Sequence, residues 1–160
     1  MSIKAGERMP AGKFKVMGAD GPQDLTTAQL FDGKRVVLFS VPGAFTPTCS
    51  ARHLPGYVDH AAELRAKGVD TIACMAVNDV FVMGAWGKSA GVGDAVLMLA
   101  DGSGEYARAL GLELDLKGAG LGMRGQRFAL LVDNGVATKV LVEGPGEFKV
   151  SAADYLLGQL

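Results

Sequence analysis

The stretch VVLFSVPGAFTPTCSARH, Val36 to His53, decides how this chain is read. It opens on an apolar segment, Val36 to Val41, and passes through Pro42, Gly43, Ala44 and Phe45 to Thr46, Pro47, Thr48 and Cys49. A strand that is apolar on both faces belongs in the middle of a sheet with helices on each side. Cys49 then stands just past the carboxyl end of a central strand. Thr46 followed by Pro47 reads as an N-cap with proline at the first helical position, which puts Cys49 in the opening turn of a helix. Free backbone N–H groups and the helix dipole there favour a thiolate over a thiol.

Upstream, Phe14 and Val16 alternate with Lys13 and Lys15, an edge-strand or hairpin pattern closed by Gly18 to Gly21. Thr26 with Gln29 forms a capping box for a short helix ending near Gly33. Downstream, Leu54, Tyr57, Val58, Ala61 and Leu64 recur at helical spacing, so one helix is expected from Leu54 to Arg65, kinked at Pro55. Val69 to Val77 is a second strand, Asn78 and Asp79 cap a helix carrying Phe81 and Trp86, and Ala95 to Ala100 is a third strand. A short helix with Tyr106 and Leu110 follows. Alternating strands and helices argue for parallel βαβ units. The pattern then changes: Gln126 to Val132 and Val136 to Val142 are strands joined across Asn134-Gly135, a two-residue hairpin signal. Ser151 with Asp154 is expected to cap a final helix carrying Leu156 and Leu157. A βαβ half followed by an antiparallel hairpin and a helix is the ordering of a thioredoxin-like α/β fold, here with an extra strand and helix between. The sheet is then mixed and central, flanked by helices.

At 160 residues the chain is expected to be one domain, 1–160, long enough to bury a core. A net charge of −1 gives no reason to expect nucleic acid or an anionic membrane as partner. The start, MSIKAGERMPAG, has no apolar signal region, and no later apolar run approaches transmembrane length. Two cysteines, Cys49 and Cys74, are too few for a secreted disulfide framework and suit a reducing compartment, so the expected location is cytoplasmic.

Proline, three residues, threonine, two residues, cysteine is a fixed pattern, met here by Pro42, Thr46 and Cys49. In this form, PGAFTPTC, the segment resembles the active site of peroxiredoxins, and of their type-five subfamily in particular. The resemblance implies a thiol-dependent peroxidase that reduces hydrogen peroxide and small alkyl hydroperoxides through a Cys49 sulfenic acid. It also implies a role for Arg127, an arginine before an aromatic residue and a buried strand, in orienting peroxide and stabilising charge. Arginine suits that task because it stays charged and donates through a rigid fork; Arg124 is the competing candidate. Thr46 is a helix cap whose hydroxyl can also accept from peroxide and donate toward sulfur. Pro42 shapes the turn and shields the sulfur. Phe45 reads as pocket wall, core or subunit contact, and the resemblance favours contact in a non-covalent homodimer.

The remaining residues narrow the chemistry. Threonine at 46 leaves no Cys-x-x-Cys, so dithiol exchange of the thioredoxin kind is weakened. Cys74 lies in a core-strand pattern and reads as a buried, inert thiol. No cofactor or metal is expected: zinc wants about four ligands, and two cysteines with His53 and His60 offer a poor set. His53 is expected at the entrance to the site. Gly118, Gly120 and Gly122 precede a strand instead of opening a helix, against a nucleotide loop. The stretch Glu147 to Asp154 lacks the resolving cysteine that some type-five relatives carry, which points to a one-cysteine cycle finished by glutathione with glutaredoxin or by thioredoxin. An internal Cys49 to Cys74 disulfide competes with that. From another class, the alternative is a peroxide-sensing or chaperone-like protein switched by Cys49 oxidation.

Overall fold

The computed structural model describes all 160 residues. A hairpin of β1 (Lys13–Gly18) and β2 (Gly21–Thr26) leads to α1 (Thr27–Phe31), β3 (Arg35–Ser40), a π-helical turn at Cys49–His53, α2 (Leu54–Asp59), α3 (Ala61–Ala66), β4 (Thr71–Ala76) and α4 (Val80–Ser89). Then come β5 (Leu97–Ala100), α5 (Glu105–Leu110), a ribbon of β6 (Glu113–Leu116) and β7 (Gly122–Gly125), the hairpin β8 (Phe128–Asp133) and β9 (Val136–Val142), and α6 (Ala153–Leu157). Seven strands form a mixed sheet in the order β2-β1-β5-β4-β3-β8-β9. β3 runs parallel to β4 and antiparallel to β8, so it lies inside the sheet, as its apolar run predicts. The architecture is the thioredoxin-like one, with helices against both sheet faces.

Because strand side chains alternate, β3 feeds two cores. Val37, Phe39 and Val41 join Cys74 on one face, under Leu54, Tyr57 and Leu64 of α2 and α3, Trp86 of α4 and Leu156 of α6. Val36 and Leu38 join Met75 and Leu130 on the other, under Phe31 of α1 and Tyr106 and Leu110 of α5. At ~25 cal/mol per Å² of apolar surface withdrawn from water, each such fully buried side chain stabilises the fold by roughly 1.5–3 kcal/mol.

Three local turn and cap signals are met. The Thr26–Gln29 capping box is present, Asn134 and Gly135 both adopt positive φ in the β8–β9 turn, and the Asp79 side chain accepts from the Val82 N–H at 2.9 Å. Two expectations fail. The helix after the cysteine is not a single one kinked at Pro55. Pro55 has no N–H, and its ring would crowd the Ala51 carbonyl; the Leu54 N–H instead reaches back five residues to the Cys49 carbonyl, and the wide π turn absorbs the mismatch. A second break falls at His60 (φ −99°, ψ 8°), although its N–H still meets Gly56 O at 3.1 Å and its carbonyl still takes Leu64 N–H at 3.0 Å, so backbone hydrogen bonding runs through the break. At the other end of the chain, α6 has Ala152 as its N-cap with no side-chain bond, because the Ser151 hydroxyl is committed to Glu143.

Asp79→Ala should cost about 1 kcal/mol of stability, the usual worth of an N-cap, read as a lower urea midpoint at unchanged slope. A changed slope with no midpoint shift would mean the cap is not what holds α4.

Candidate active site

In the β3–β8 register Ser40 lies opposite Phe128, so the start of β8 meets the end of β3. Arg127, immediately before β8, thereby reaches the turn that follows β3. Its Nη2 donates to Cys49 Sγ at 3.1 Å. Cys49 itself is fully buried, at 0% exposure. It lies within the turn closed by the backbone bond from Ser50 N–H to Thr46 O at 2.9 Å, the opening turn of the helical segment.

The other arm of the fork, Arg127 Nη1, lies 2.8 Å from His53 Nδ1. A guanidinium only donates, so Nδ1 accepts and the ring proton is on Nε2, which donates to the Ser151 carbonyl at 3.1 Å. His53 is 1% exposed, not at an entrance: its position four residues after Cys49 turns it inward to the same buried face. Burial first, and the Arg127 cation second, lower its pKa to about 3, against the opposing pull of the Ser151 carbonyl and Glu143. The Tyr57 hydroxyl donates to the same carbonyl at 2.7 Å, and its ring stacks on Phe39 at 4.0 Å.

Thr46 occupies the N-cap position by its backbone, but its hydroxyl does not cap. It donates to Gly43 O at 2.6 Å, leaving its lone pairs, and not its proton, for a ligand. Arg124 is engaged elsewhere: its Nη1 donates to Pro42 O at 3.2 Å and its Nε to Leu121 O at 2.8 Å, bracing the turn that carries half-buried Pro42. The Ala44 N–H donates to Asn78 Oδ1 at 2.9 Å, and next to it Phe45 is held at φ 64°, a conformation that costs a non-glycine residue about 1–3 kcal/mol. Phe45 is 53% exposed. Trp86 Nε1 donates to Ser50 Oγ at 3.0 Å, tying α4 to the residue after Cys49. A cleft of about 420 Å³ opens beside these groups, with Pro42, Thr48, Leu114, Leu116, Arg127 and Phe148 in its wall.

Cys74 is buried on β4, and burial above all holds its thiol well above the ordinary range. Both cysteines are free. Gly118 and Gly120 lie in the connection between β6 and β7, and Gly122 opens β7. His60 pairs with Glu63 at 3.0 Å, away from the sulfur.

A buried sulfur met by an arginine fork, behind a Pro-Thr-Cys turn on a thioredoxin-like sheet, can be compared with known proteins. Residues 4–157 match the Redoxin family model. Peroxiredoxin-2B of Arabidopsis thaliana is 52% identical over 159 residues, 99% of this chain and 98% of its own. The chain is a peroxiredoxin. Reduced Prx3 of Vibrio vulnificus in complex with hydrogen peroxide superposes with a TM-score of 0.94 at 48% identity, over 98% of each chain. Peroxiredoxin 5 of Alvinella pompejana gives 0.86 at 35%, over 97% of this chain and 96% of its own. The activity is that of a thiol peroxidase, an oxidoreductase that consumes peroxide at the expense of thiol.

The site of this peroxiredoxin contains partners that sequence reading missed. His53 carried a signal, since residues four apart share a helix face. Ser151, Glu143 and Asn78 carried none, because their contacts join segments far apart in sequence.

The His53 shift has a pH consequence. Its folded pKa of about 3 lies below the unfolded value near 6.5, so as pH falls below about 6.5 the unfolded chain takes up a proton that the folded one refuses. Stability should therefore be lost at up to ~1.4 kcal/mol per pH unit from this residue. Urea unfolding between pH 6.5 and 5, above the carboxylate range, should show that slope in the parent and a flatter one in His53→Gln; equal slopes would contradict the buried neutral ring.

Proposed function

We propose that this peroxiredoxin is a type-five, one-cysteine-like variant that reduces hydrogen peroxide and small alkyl hydroperoxides at Cys49. The observation that carries the reading is the 3.1 Å bond from Arg127 Nη2 to the Cys49 sulfur. In the reaction a lone pair of the Cys49 thiolate attacks the distal oxygen of ROOH, the O–O bond breaks, and the departing alkoxide takes a proton and leaves as ROH. Sulfur is oxidised to the sulfenic acid and peroxide is reduced. Arg127 stabilises charge that moves from sulfur to oxygen, the task at which a preorganised donor in a water-poor site is most effective. Thr46 accepts from the hydroperoxide O–H through its free lone pairs, and Pro42 shapes the pocket and shields the sulfur. Prx3 of Vibrio vulnificus, described with hydrogen peroxide bound, supports the choice of substrate by similarity.

An external thiol completes the cycle: the first displaces water from the sulfenic sulfur to form a mixed disulfide, and the second releases Cys49 as the thiol. Glutathione with glutaredoxin, or thioredoxin, supplies these thiols. Supporting an external donor, Val150 and its neighbours offer no third cysteine, and Cys74 is held protonated in the core. Because Cys49 is buried, a bulky thiol reaches it only when the Cys49–His53 turn opens. The chain works as one domain, in the cytoplasm. It works as a non-covalent homodimer, for which exposed Phe45 and Phe81 offer apolar contact surface.

Cys49→Ser should abolish turnover while Cys74→Ser keeps most of it, and intact mass after one equivalent of peroxide should show one added oxygen; loss of two hydrogens would mean an internal disulfide. Arg127→Gln should slow the second-order reaction with peroxide by about 10²-fold while leaving the far-ultraviolet spectrum unchanged, whereas an unaltered rate would remove Arg127 from the chemistry.

A further inference from the structure

No step of the peroxidase reaction uses Glu143, yet its carboxylate is among the most engaged groups in the chain. Oε2 accepts from Lys149 N–H at 2.6 Å, Ser151 N–H at 2.8 Å and Ser151 Oγ at 2.6 Å. Burial works to raise its pKa, and the donors of Ser151, Lys149 and Val150 outweigh that and lower it. The Glu143 N–H in turn donates to Arg127 O at 3.0 Å. The bonds therefore close a circuit: Arg127 backbone to Glu143, carboxylate to Ser151, Ser151 carbonyl to His53, and His53 back to the Arg127 fork.

We propose that Glu143 is a positioning residue for the peroxide step: by clamping Ser151 it fixes the carbonyl that holds His53 as the Nε2–H tautomer, and His53 then holds the Arg127 fork on Cys49. The proposal rests on the reading of Cys49 as the peroxide-reactive sulfur. The tautomer is the sensitive link. With the proton on Nε2, Nδ1 accepts from Arg127; with the proton on Nδ1, two donors would face each other and the guanidinium would have to turn away. The Ser151 carbonyl meets both His53 Nε2 and the Tyr57 hydroxyl, so its orientation selects between these states. The clamp also closes the 143–151 segment over the site, with Phe148 lying 5.0 Å from the His53 ring and 5.8 Å from the Arg127 guanidinium carbon, centroid to centroid and carbon to centroid respectively.

The test reads two signals. The first is the second-order rate of reduced protein with hydrogen peroxide, followed through Trp86, the single tryptophan, which is bonded to the residue beside Cys49. Glu143→Gln should slow it about tenfold, the scale at which outer partners of site residues act, and should add no further loss in an Arg127→Gln background. The second is the ¹⁵N spectrum of His53, assigned with a His60→Gln variant: the parent should show a protonated Nε2 and a bare Nδ1, and Glu143→Gln a mixture of tautomers. Ser151→Ala should reproduce a smaller part of both effects and Ser151→Thr should restore them, which keeps the question open to measurement if Glu143→Gln does not fold. An unchanged rate and tautomer, or an equal loss in both Arg127 backgrounds, overturns the proposal. If the parent itself does not react with peroxide, the peroxidase reading of Cys49 fails, and the tautomer spectrum alone then decides whether Glu143 positions His53.

Discussion

The contact between the Arg127 guanidinium and the Cys49 sulfur is the constraint to which the rest of this structure answers. A cation brought into a partly buried site needs partners for its donors, and Arg127 directs two of them at the sulfur and a ring nitrogen. The ring has to be neutral. At an effective dielectric constant near 20, two unit charges of like sign about 4 Å apart repel by ~4 kcal/mol, and burial of an imidazolium adds to that cost. The pKa of about 3 at His53 is the same statement from the proton's side. A neutral acceptor lets the fork be oriented without a carboxylate beside the sulfur, which would compete for the guanidinium.

Topology delivers the two partners. The residues lie on separate halves of the chain, one on the parallel βαβ portion and one on the antiparallel hairpin. Because β8 runs antiparallel against β3, the end of one strand and the beginning of the other lie at the same end of the sheet. Central placement of β3 between β4 and β8 then makes the junction rigid, since its side chains fill the cores on both faces. What remains adjustable is the turn from Pro42 to Thr46, and it is held by separate tethers: Arg124 to the Pro42 carbonyl, Asn78 to the Ala44 amide, and the Thr46 hydroxyl to Gly43. Phe45 keeps its left-handed backbone within that set of restraints.

Much of this was legible in the residues. The apolar run of β3, the Asp79 cap, the Asn134-Gly135 hairpin and the switch from βαβ to antiparallel order are short-range patterns, and each is visible because its physics lies within a few residues. The Pro-Thr-Cys turn and Arg127 were legible through resemblance. The ribbon of β6 and β7 escaped because its glycines weaken any strand pattern. The π turn escaped because a proline in a helix announces disruption without saying which form the backbone takes. The polarity of His53 suggests an entrance and says nothing of a partner 74 residues away. Ser151 resembled a cap, and only the folded chain reveals that a carboxylate had a stronger claim on its hydroxyl.

The two cysteines make the same point about chemistry. Cys49 and Cys74 are both fully buried and belong to one apolar cluster on one face of the sheet. Burial by itself would make both of them small hydrophobes. Cys74 stands in the middle of β4, where strand neighbours offer apolar atoms and burial holds the proton on sulfur. Cys49 stands where a strand has ended and a helical turn is beginning, so backbone amides are near and an arginine can enter from the adjacent strand. Exposure therefore does not separate the thiols. The difference lies in what each sulfur has to hydrogen-bond with, and that difference is set by position relative to the strand end.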